Sequence, residues 1–217
     1  MSINTLKISS DCSVYTITSG PLKTNTYVLK GRDFCVLIDV PWVAEQLIGL
    51  IKENNWTVDA IILTHGHFDH IRTAQEISTH FNAEIVISVE EKRILKRQNL
   101  LYFLHGGKNK LQLPEPSNTN FINFNLTDEI IMIDPKIKLH SFPGHTPGSL
   151  MVSYNDHVIF TGDTIYLDAV PASSLPESDP DLYHKSEKKF LERFSSAALL
   201  FPGHGAYGER KSQICRA

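Results

Sequence analysis

Three imidazoles and a carboxylate fall between His65 and His70, in the run Thr64-His65-Gly66-His67-Phe68-Asp69-His70. These are the donors that hold borderline-soft divalent cations such as zinc. Three further segments each place a candidate ligand directly behind an apolar stretch. They are Phe142-Pro143-Gly144-His145-Thr146-Pro147-Gly148-Ser149, Ile159-Phe160-Thr161-Gly162-Asp163-Thr164 and Phe201-Pro202-Gly203-His204-Gly205. A ligand at a strand end is anchored by a rigid sheet yet faces a loop-lined cleft. The adjoining glycines permit tight turns and close backbone approach. Alone, a histidine beside Pro-Gly is an ordinary turn residue. Together with the first run, these segments point to a metal centre.

The surrounding periodicity predicts what must position these residues. Val14–Thr18, Thr26–Leu29 and Phe34–Ile38 read as strands, with turns at Gly20-Pro21 and Gly31-Arg32-Asp33. Val43 to Asn54 reads as a helix, with Val43, Leu47, Leu50 and Ile51 on one face. The short apolar run from Asp59 to Leu63 suits a buried strand, and the histidine motif begins as it ends. Helices are expected over Ile71–Phe81 and Glu90–Leu101, on either side of a strand at Glu84–Ser88. From Leu104 to Thr127, Gly, Pro and Asn predict a long loop. Strands follow at Ile130–Ile133, Ile137–Phe142, Ser149–Tyr154 and His157–Thr161, then a helix from Lys185 to Phe194 and an apolar run from Ala198 to Phe201. Strands and helices interleave without repeat or linker, which predicts one α/β domain over residues 1–217.

Composition narrows the classes of function. Apolar residues at 41% and charged residues at 21% are ordinary for a soluble globular chain. A net charge of −3 gives no electrostatic footprint for nucleic acid or an anionic membrane. No apolar run approaches membrane-spanning length, and the segment from Met1 to Lys7 lacks the apolar core of a signal peptide. Cys12, Cys35 and Cys215 are widely spaced and odd in number, as expected of reduced thiols in a cytoplasmic protein. None forms a C-x-x-C pair, so a cysteine-built zinc site is not expected. Nothing in the sequence fixes an oligomeric state.

Taken in order, His65, His67, Asp69, His70, His145, Asp163 and His204 resemble the ligand pattern of the metallo-β-lactamase fold superfamily. The resemblance runs from the Leu37-Ile38-Asp39 strand end to His204. It implies a four-layer αββα sandwich with the metals at one edge, between the two sheets. The ligand set is most similar to the glyoxalase II-like (hydroxyacylglutathione hydrolase-like) branch. By that resemblance His65, His67 and His145 hold one metal, Asp69, His70 and His204 hold the second, and Asp163 bridges them. Each ion then keeps open positions for water and substrate, as a catalytic site needs, and a closed structural site would not spread its ligands over separate loops. The implied cofactors are two divalent ions. Zinc comes first from the nitrogen and oxygen donors, and iron and manganese also accept them.

The implied activity is metal-dependent hydrolysis of a small thioester or ester, with a small molecule bearing a hydrolysable carbonyl as partner. Asp69 is expected to orient the nucleophile as well as ligate. Asp39 and Asp59 are candidates for fixing imidazole orientation. A thiolate leaves unprotonated, whereas an alkoxide or amide needs a proton donor. The candidate donor is Tyr166, where acyl-homoserine-lactone lactonases of the superfamily also carry a tyrosine; its bland alternative is an aromatic core side chain. Lactone hydrolysis is therefore one alternative. β-Lactam hydrolysis, a mononuclear-iron persulfide dioxygenase and a catalytically silent binding protein are the others.

The chain departs from glyoxalase II in the stretch from Gly162 to Val170, which lacks that family's Gly-Arg pair. With 13 residues after His204, the helical domain that binds glutathione in that family is not expected here. In Leu37-Ile38-Asp39-Val40-Pro41 it lacks a glycine usual in the superfamily. Tyr102, His105, Tyr183 and His184 are candidate substrate contacts, and Leu167 to Asp181 is expected at the cleft mouth. His80, His140 and His157 lie outside the motifs and are read as core or surface residues.

Overall fold

The computed structural model describes residues 3–124, 129–168, 175–195 and 199–210, whose strands form two sheets. The first contains β1 (Asn4–Lys7), β2 (Ser13–Ser19), β3 (Thr24–Lys30), β4 (Cys35–Ile38), β5 (Ala60–Ile62), β6 (Glu84–Ser88) and β7 (Thr119–Ile122), neighbours in that order. β1 to β4 pair antiparallel, and β4 to β7 pair parallel. Parallel neighbours need crossovers, and helices supply them. They are α1 (Ala44–Glu53), then α2 (Phe68–Ile71) with α3 (Ala74–Phe81), then α4 (Lys92–Leu95) with α5 (Gln98–Leu104). The second sheet contains β8 (Glu129–Met132), β9 (Ile137–Ser141), β10 (Leu150–Tyr154), β11 (Val158–Gly162), β12 (Leu199–Pro202) and β13 (Gly208–Glu209). All its pairs are antiparallel except β11 with β12, which α6 (Pro180–Arg193) connects.

Successive side chains on a strand face opposite ways, and this alternation builds the layers. Leu37, Ile61 and Ile85 pack with Leu47, Ile51 and Ile77 of α1 and α3. Their strand neighbours Ile38, Ile62 and Val86 pack instead with Val152, Phe160 and Phe201 of the second sheet. On the far face of that sheet, Met151, Ile159 and Leu200 pack against Phe190 and Phe194. Three apolar cores thus separate helix, sheet, sheet and helix, which is the expected αββα sandwich. β4 to β6 read as continuous apolar runs because both of their faces are buried.

Strands β1 and β13 are not among the expected elements, which also differ from the observed ones at four places. The helix expected from Ile71 starts at Phe68 and breaks at Arg72-Thr73. There the Thr73 N–H and hydroxyl both donate to the Val40 carbonyl, at 2.9 and 2.8 Å, drawing the chain off the helical ladder. The helix expected over Glu90–Leu101 divides into a 3₁₀ turn (Val89–Glu91), α4 and α5. The last helix starts at Pro180, not Lys185, because Asp179 caps it, accepting from the Leu182 N–H at 3.0 Å. The expected loop contains β7, a short strand with one buried residue in four, so no alternation marked it. Asn125 to Thr127, Ala198, Cys215 and Ala169-Val170 lie outside the described residues. Cys12 and Cys35 are buried free thiols. Among the described residues no helix is long and apolar enough to cross a membrane.

Candidate metal centre

β9, β11 and β12 run in one direction, so His145, Asp163 and His204, which follow them, emerge at one edge of the second sheet. β5 delivers His65 to the facing edge of the first sheet, and α2 carries Asp69 and His70. The two edges are stitched together where the Leu150 N–H donates to the Thr64 carbonyl at 2.9 Å. All seven candidate ligands therefore converge, and each is buried except His204, which is partly exposed.

They form two outer groups, which a third, overlapping set of His65, His70 and Asp163 joins. His67 Nδ1 lies 3.0 Å from His65 Nε2 and 3.1 Å from His145 Nε2. Asp69 Oδ2 lies 3.3 Å from His204 Nε2 and 3.6 Å from His70 Nε2. Asp163 sits between them, with Oδ2 3.6 Å from His145 Nε2 and 3.4 Å from His204 Nε2, and Oδ1 3.4 Å from His70 Nε2.

Neighbouring groups assign the imidazole protons, because a neutral ring carries its one proton on the nitrogen that faces an acceptor. Glu177 Oε1 stands 2.7 Å from His67 Nε2, so His67 Nδ1 is left as a bare lone pair. The Thr64 hydroxyl donates to Asp39 Oδ2 at 2.8 Å, so it accepts from His65 Nδ1 at 3.1 Å and leaves His65 Nε2 bare. His70 Nδ1 faces Asp39 Oδ2 at 2.8 Å, and His204 Nδ1 faces the Leu22 carbonyl at 3.0 Å. In the neutral rings every one of these bare nitrogens points inward. Two bare nitrogens 3.0 Å apart repel unless a cation lies between them. Tetrahedral nitrogen ligands about 2.0–2.1 Å from zinc stand roughly 3.3 Å apart. His70 Nε2 and Asp163 Oδ1 are buried without hydrogen-bond partners, which an interior tolerates poorly unless an ion completes them. The donor set fits divalent metal.

Electrostatics separate the two groups. Burial, and then the neighbouring His70, His67 and His145, hold His65 well below the ordinary histidine range. Burial likewise lowers His145 to about 4, so both rings are neutral and ready to ligate near pH 7. At the other end, burial would lower His70, but Asp163, Asp39 and Asp69 raise it well above the ordinary range. His204 is raised to about 9 against the effect of burial, by hydrogen bonds with Asp163 and Asp69. Burial would raise the two carboxylates, yet His70 and His204 bring Asp69 down to about 2 and Asp163 well below its usual range. Without metal this end keeps its balance by holding protons, which a bound ion would displace.

Several supporting residues escaped the sequence. Glu91, fully buried, accepts from the Gly66 and Gly148 N–H groups at 2.7 Å each, clamping the His65–His67 loop to the His145 loop. Its signal was a carboxylate on the apolar face of the expected helix, three and four residues before Ile94 and Leu95. Gln98 Oε1 accepts from the Phe68 N–H at 2.7 Å, and the Thr24 hydroxyl donates to Asp69 Oδ2 at 3.0 Å. Neither these two nor Glu177 belongs to any local motif. Gly203 must be glycine, since a Cβ there would lie 2.1 Å from Asp163 Oδ1. Asp39 does orient an imidazole, that of His70. Asp59 does not: it accepts from the Cys35 N–H at 2.8 Å, capping the start of β4 at the other end of the strand from Asp39.

The donors open into a cleft of about 410 Å³, walled by Leu22, Phe68, Leu101, Leu175 and Pro176. Tyr166 and His105 line it, as does Glu177. The Tyr166 phenol is held well above its usual range, first by burial and then by the Asp163 charge, and so stays protonated. Tyr102 packs behind Phe68, its hydroxyl accepting from Arg72 Nε at 3.2 Å. The Tyr183 hydroxyl donates to the Thr164 carbonyl at 2.8 Å, and His184 faces Glu187, so neither lines the cleft. Of the stretch expected at the mouth, Leu175 to Glu177 are in place, and residues 169–174 lie outside the described residues.

The profile of the Metallo-beta-lactamase superfamily matches residues 19–204. Hydroxyacylglutathione hydrolase GloC of Haemophilus influenzae is 28% identical over 173 residues, covering 79% of this chain and 80% of that protein. A probable metallo-hydrolase of Methanocaldococcus jannaschii is 31% identical over 204 residues, covering 86% of this chain and 90% of its own. Among solved structures, the BLEG-1 B3 metallo-beta-lactamase superposes with a TM-score of 0.77 at 26% identity, covering 89% of this chain and 92% of that one. A protein solved in a di-iron-bound form gives 0.74 at 24% identity over 89% of this chain and 93% of its own. The sandwich, the converging His and Asp donors and the match along most of the sequence agree, and the chain belongs to the metallo-β-lactamase superfamily of metallo-hydrolases.

Proposed function

We propose that the protein is a dinuclear metal-dependent hydrolase acting on the carbonyl of a small thioester or ester. The observation that supports this best is the pair of three-donor groups, His65/His67/His145 and Asp69/His70/His204, with Asp163 between them. In this reading each group would hold one divalent ion, and Asp163 would be shared between them. The donors suit zinc first, with iron and manganese compatible. Bound there, two such ions supply a Lewis acid for the carbonyl oxygen and a lowered pKa for the attacking water.

The chain's own groups then do the positioning. Asp69, tied by Thr24 at 3.0 Å and with a pKa of about 2, is a carboxylate that orients the nucleophile rather than one that stores a proton. Asp39 holds His70, Glu177 holds His67, and Glu91 holds the loops that carry three of the histidines. Tyr166, protonated and in the cleft wall, is placed to donate to a leaving oxygen, which supports a second reading as a lactone hydrolase.

The test is a panel of thioesters, esters, lactones and β-lactams on metal-replete protein, with Asp163→Asn as control. The expected result is turnover of thioesters or esters well above the control. Failure to turn over any class above it refutes the hydrolase reading. If lactones dominate, and Tyr166→Phe slows them while sparing thioesters, the second reading holds instead.

A further inference from the structure

We infer that the cleft takes a substrate with an uncharged, apolar acyl group, and disfavours thiol leaving groups with anionic tails such as glutathione. This rests on the hydrolase reading above.

The cleft, at about 410 Å³, is at the small end of ligand sites. Beyond the metal donors its walls carry three polar side chains, His105, Tyr166 and Glu177, and are otherwise apolar, with the apolar residues drawn from separate parts of the chain. Leu22 lies in the turn between β2 and β3, Phe68 on α2, Leu101 on α5, and Leu175 and Pro176 just before α6. Leu22 and Leu175 leave 42% and 36% of their surface in water at the mouth of a strongly polar centre. With Phe68 and Leu101 they supply the apolar part of the lining, which an apolar ligand group would take out of water.

Charge argues the same way. No lysine or arginine is among the described lining residues, and residues 169–174 contain none. Arg72 is turned to the Tyr102 hydroxyl at 3.2 Å. A carboxylate tail needs guanidinium, ammonium or clustered N–H partners. Here it would meet Glu177, whose carboxylate is committed to His67 at 2.7 Å. Arg93 and Arg97 lie in a separate pocket of about 200 Å³ that Pro176 and Glu177 also line. The name hydroxyacylglutathione hydrolase belongs to GloC, and these walls speak against carrying its substrate over to this chain.

The test uses metal-replete full-length protein and matched thioesters, each acyl group joined to N-acetylcysteamine (uncharged) or to glutathione (anionic). The expected kcat/KM rises about fourfold per methylene of the acyl chain until the cleft is filled. At equal acyl length the uncharged thiol is favoured by about tenfold or more, the cost of one unmatched carboxylate. Leu175→Arg, at a half-exposed position, places a cation in the wall and shrinks or reverses that preference. Calorimetric titration with N-alkyl acetamides reads the cleft without turnover. Affinity rises with alkyl length in the wild type, and the rise is lost in Leu175→Arg. A flat chain-length series in both measurements overturns the inference. So does a preference for acylglutathione, most directly if Arg93→Ala with Arg97→Ala removes it. Absence of all turnover counts against the hydrolase reading, and the acetamide titration still decides this one.

Discussion

Replacing Glu91 by glutamine isolates the clamp between the two histidine loops. The Glu91 carboxylate accepts from Gly66 and Gly148, each at 2.7 Å, in a fully buried position. Glutamine keeps the shape and one carbonyl oxygen, so one N–H keeps its acceptor while the other meets an amide NH₂. A buried donor left without an acceptor costs about 1–3 kcal/mol. Part of that is returned, because the native carboxylate is itself desolvated, as its burial-raised pKa indicates. The expected net loss is about 1–2 kcal/mol in urea denaturation of metal-free protein. The larger effect is on metal. The clamp joins the loops of His65, His67 and His145, and outer contacts of this kind are worth about 10–100-fold in affinity. Asp69, His70 and His204 are braced instead by Thr24, Asp39 and the Leu22 carbonyl. Chelator competition during stepwise loading should therefore show one ion weakened by that factor and the other unchanged. Equal weakening of both ions, or lost stability with both affinities intact, would show that Glu91 merely supports the fold.

Two further variants probe other contacts. Asp39→Asn removes the anionic acceptor that His70 Nδ1 faces at 2.8 Å and weakens the Thr64 link through which Asp39 orients His65, so the ion at Asp69, His70 and His204 should weaken about 10–100-fold and the other by less; the reverse order would contradict the assignment of the groups. His140, fully buried with Nε2 2.8 Å from Ser153 Oγ, is lowered by burial, and then by the Arg193 charge, to about 3 from an unfolded value of 6.5. The unfolded chain thus takes up the proton first as pH falls. The stability from neutral His140 is complete above pH 6.5 and drains away toward about pH 3, by at most about 1.4 kcal/mol per unit. The stability difference between wild type and His140→Gln in metal-free protein should shrink between pH 7 and 4.5, and a constant difference would refute it.

What the sequence disclosed follows from where the information is local. The ligands were legible because several follow strands buried on both faces, where an unbroken apolar run announces the strand and the polar residue after it stands out, and others crowd into the same short His65–His70 run. Leu63 before Thr64-His65 and Phe160 before Gly162-Asp163 are such cases. β7 was invisible because it is short and only one of its four residues is buried, and its place depends on pairing with β6. The break at Thr73 depends on the Val40 carbonyl, and the groups that fix the imidazole protons are just as remote. Glu177 reaches His67 from 110 residues away, and Asp39 reaches His70 from 31. Such contacts are made by the fold, so no local pattern marks them. Asp59 shows the converse, since a carboxylate at a strand end near the motif caps a strand instead of serving the centre.

The most direct test of the account is the metal content of purified protein, paired with turnover of the best substrate in the panel. The account predicts close to two divalent ions per chain, with activity rising only as the second ion binds, and loss of both ion pairing and turnover in Asp163→Asn. Full activity at one ion per chain, unchanged when a second is added, would contradict the dinuclear centre.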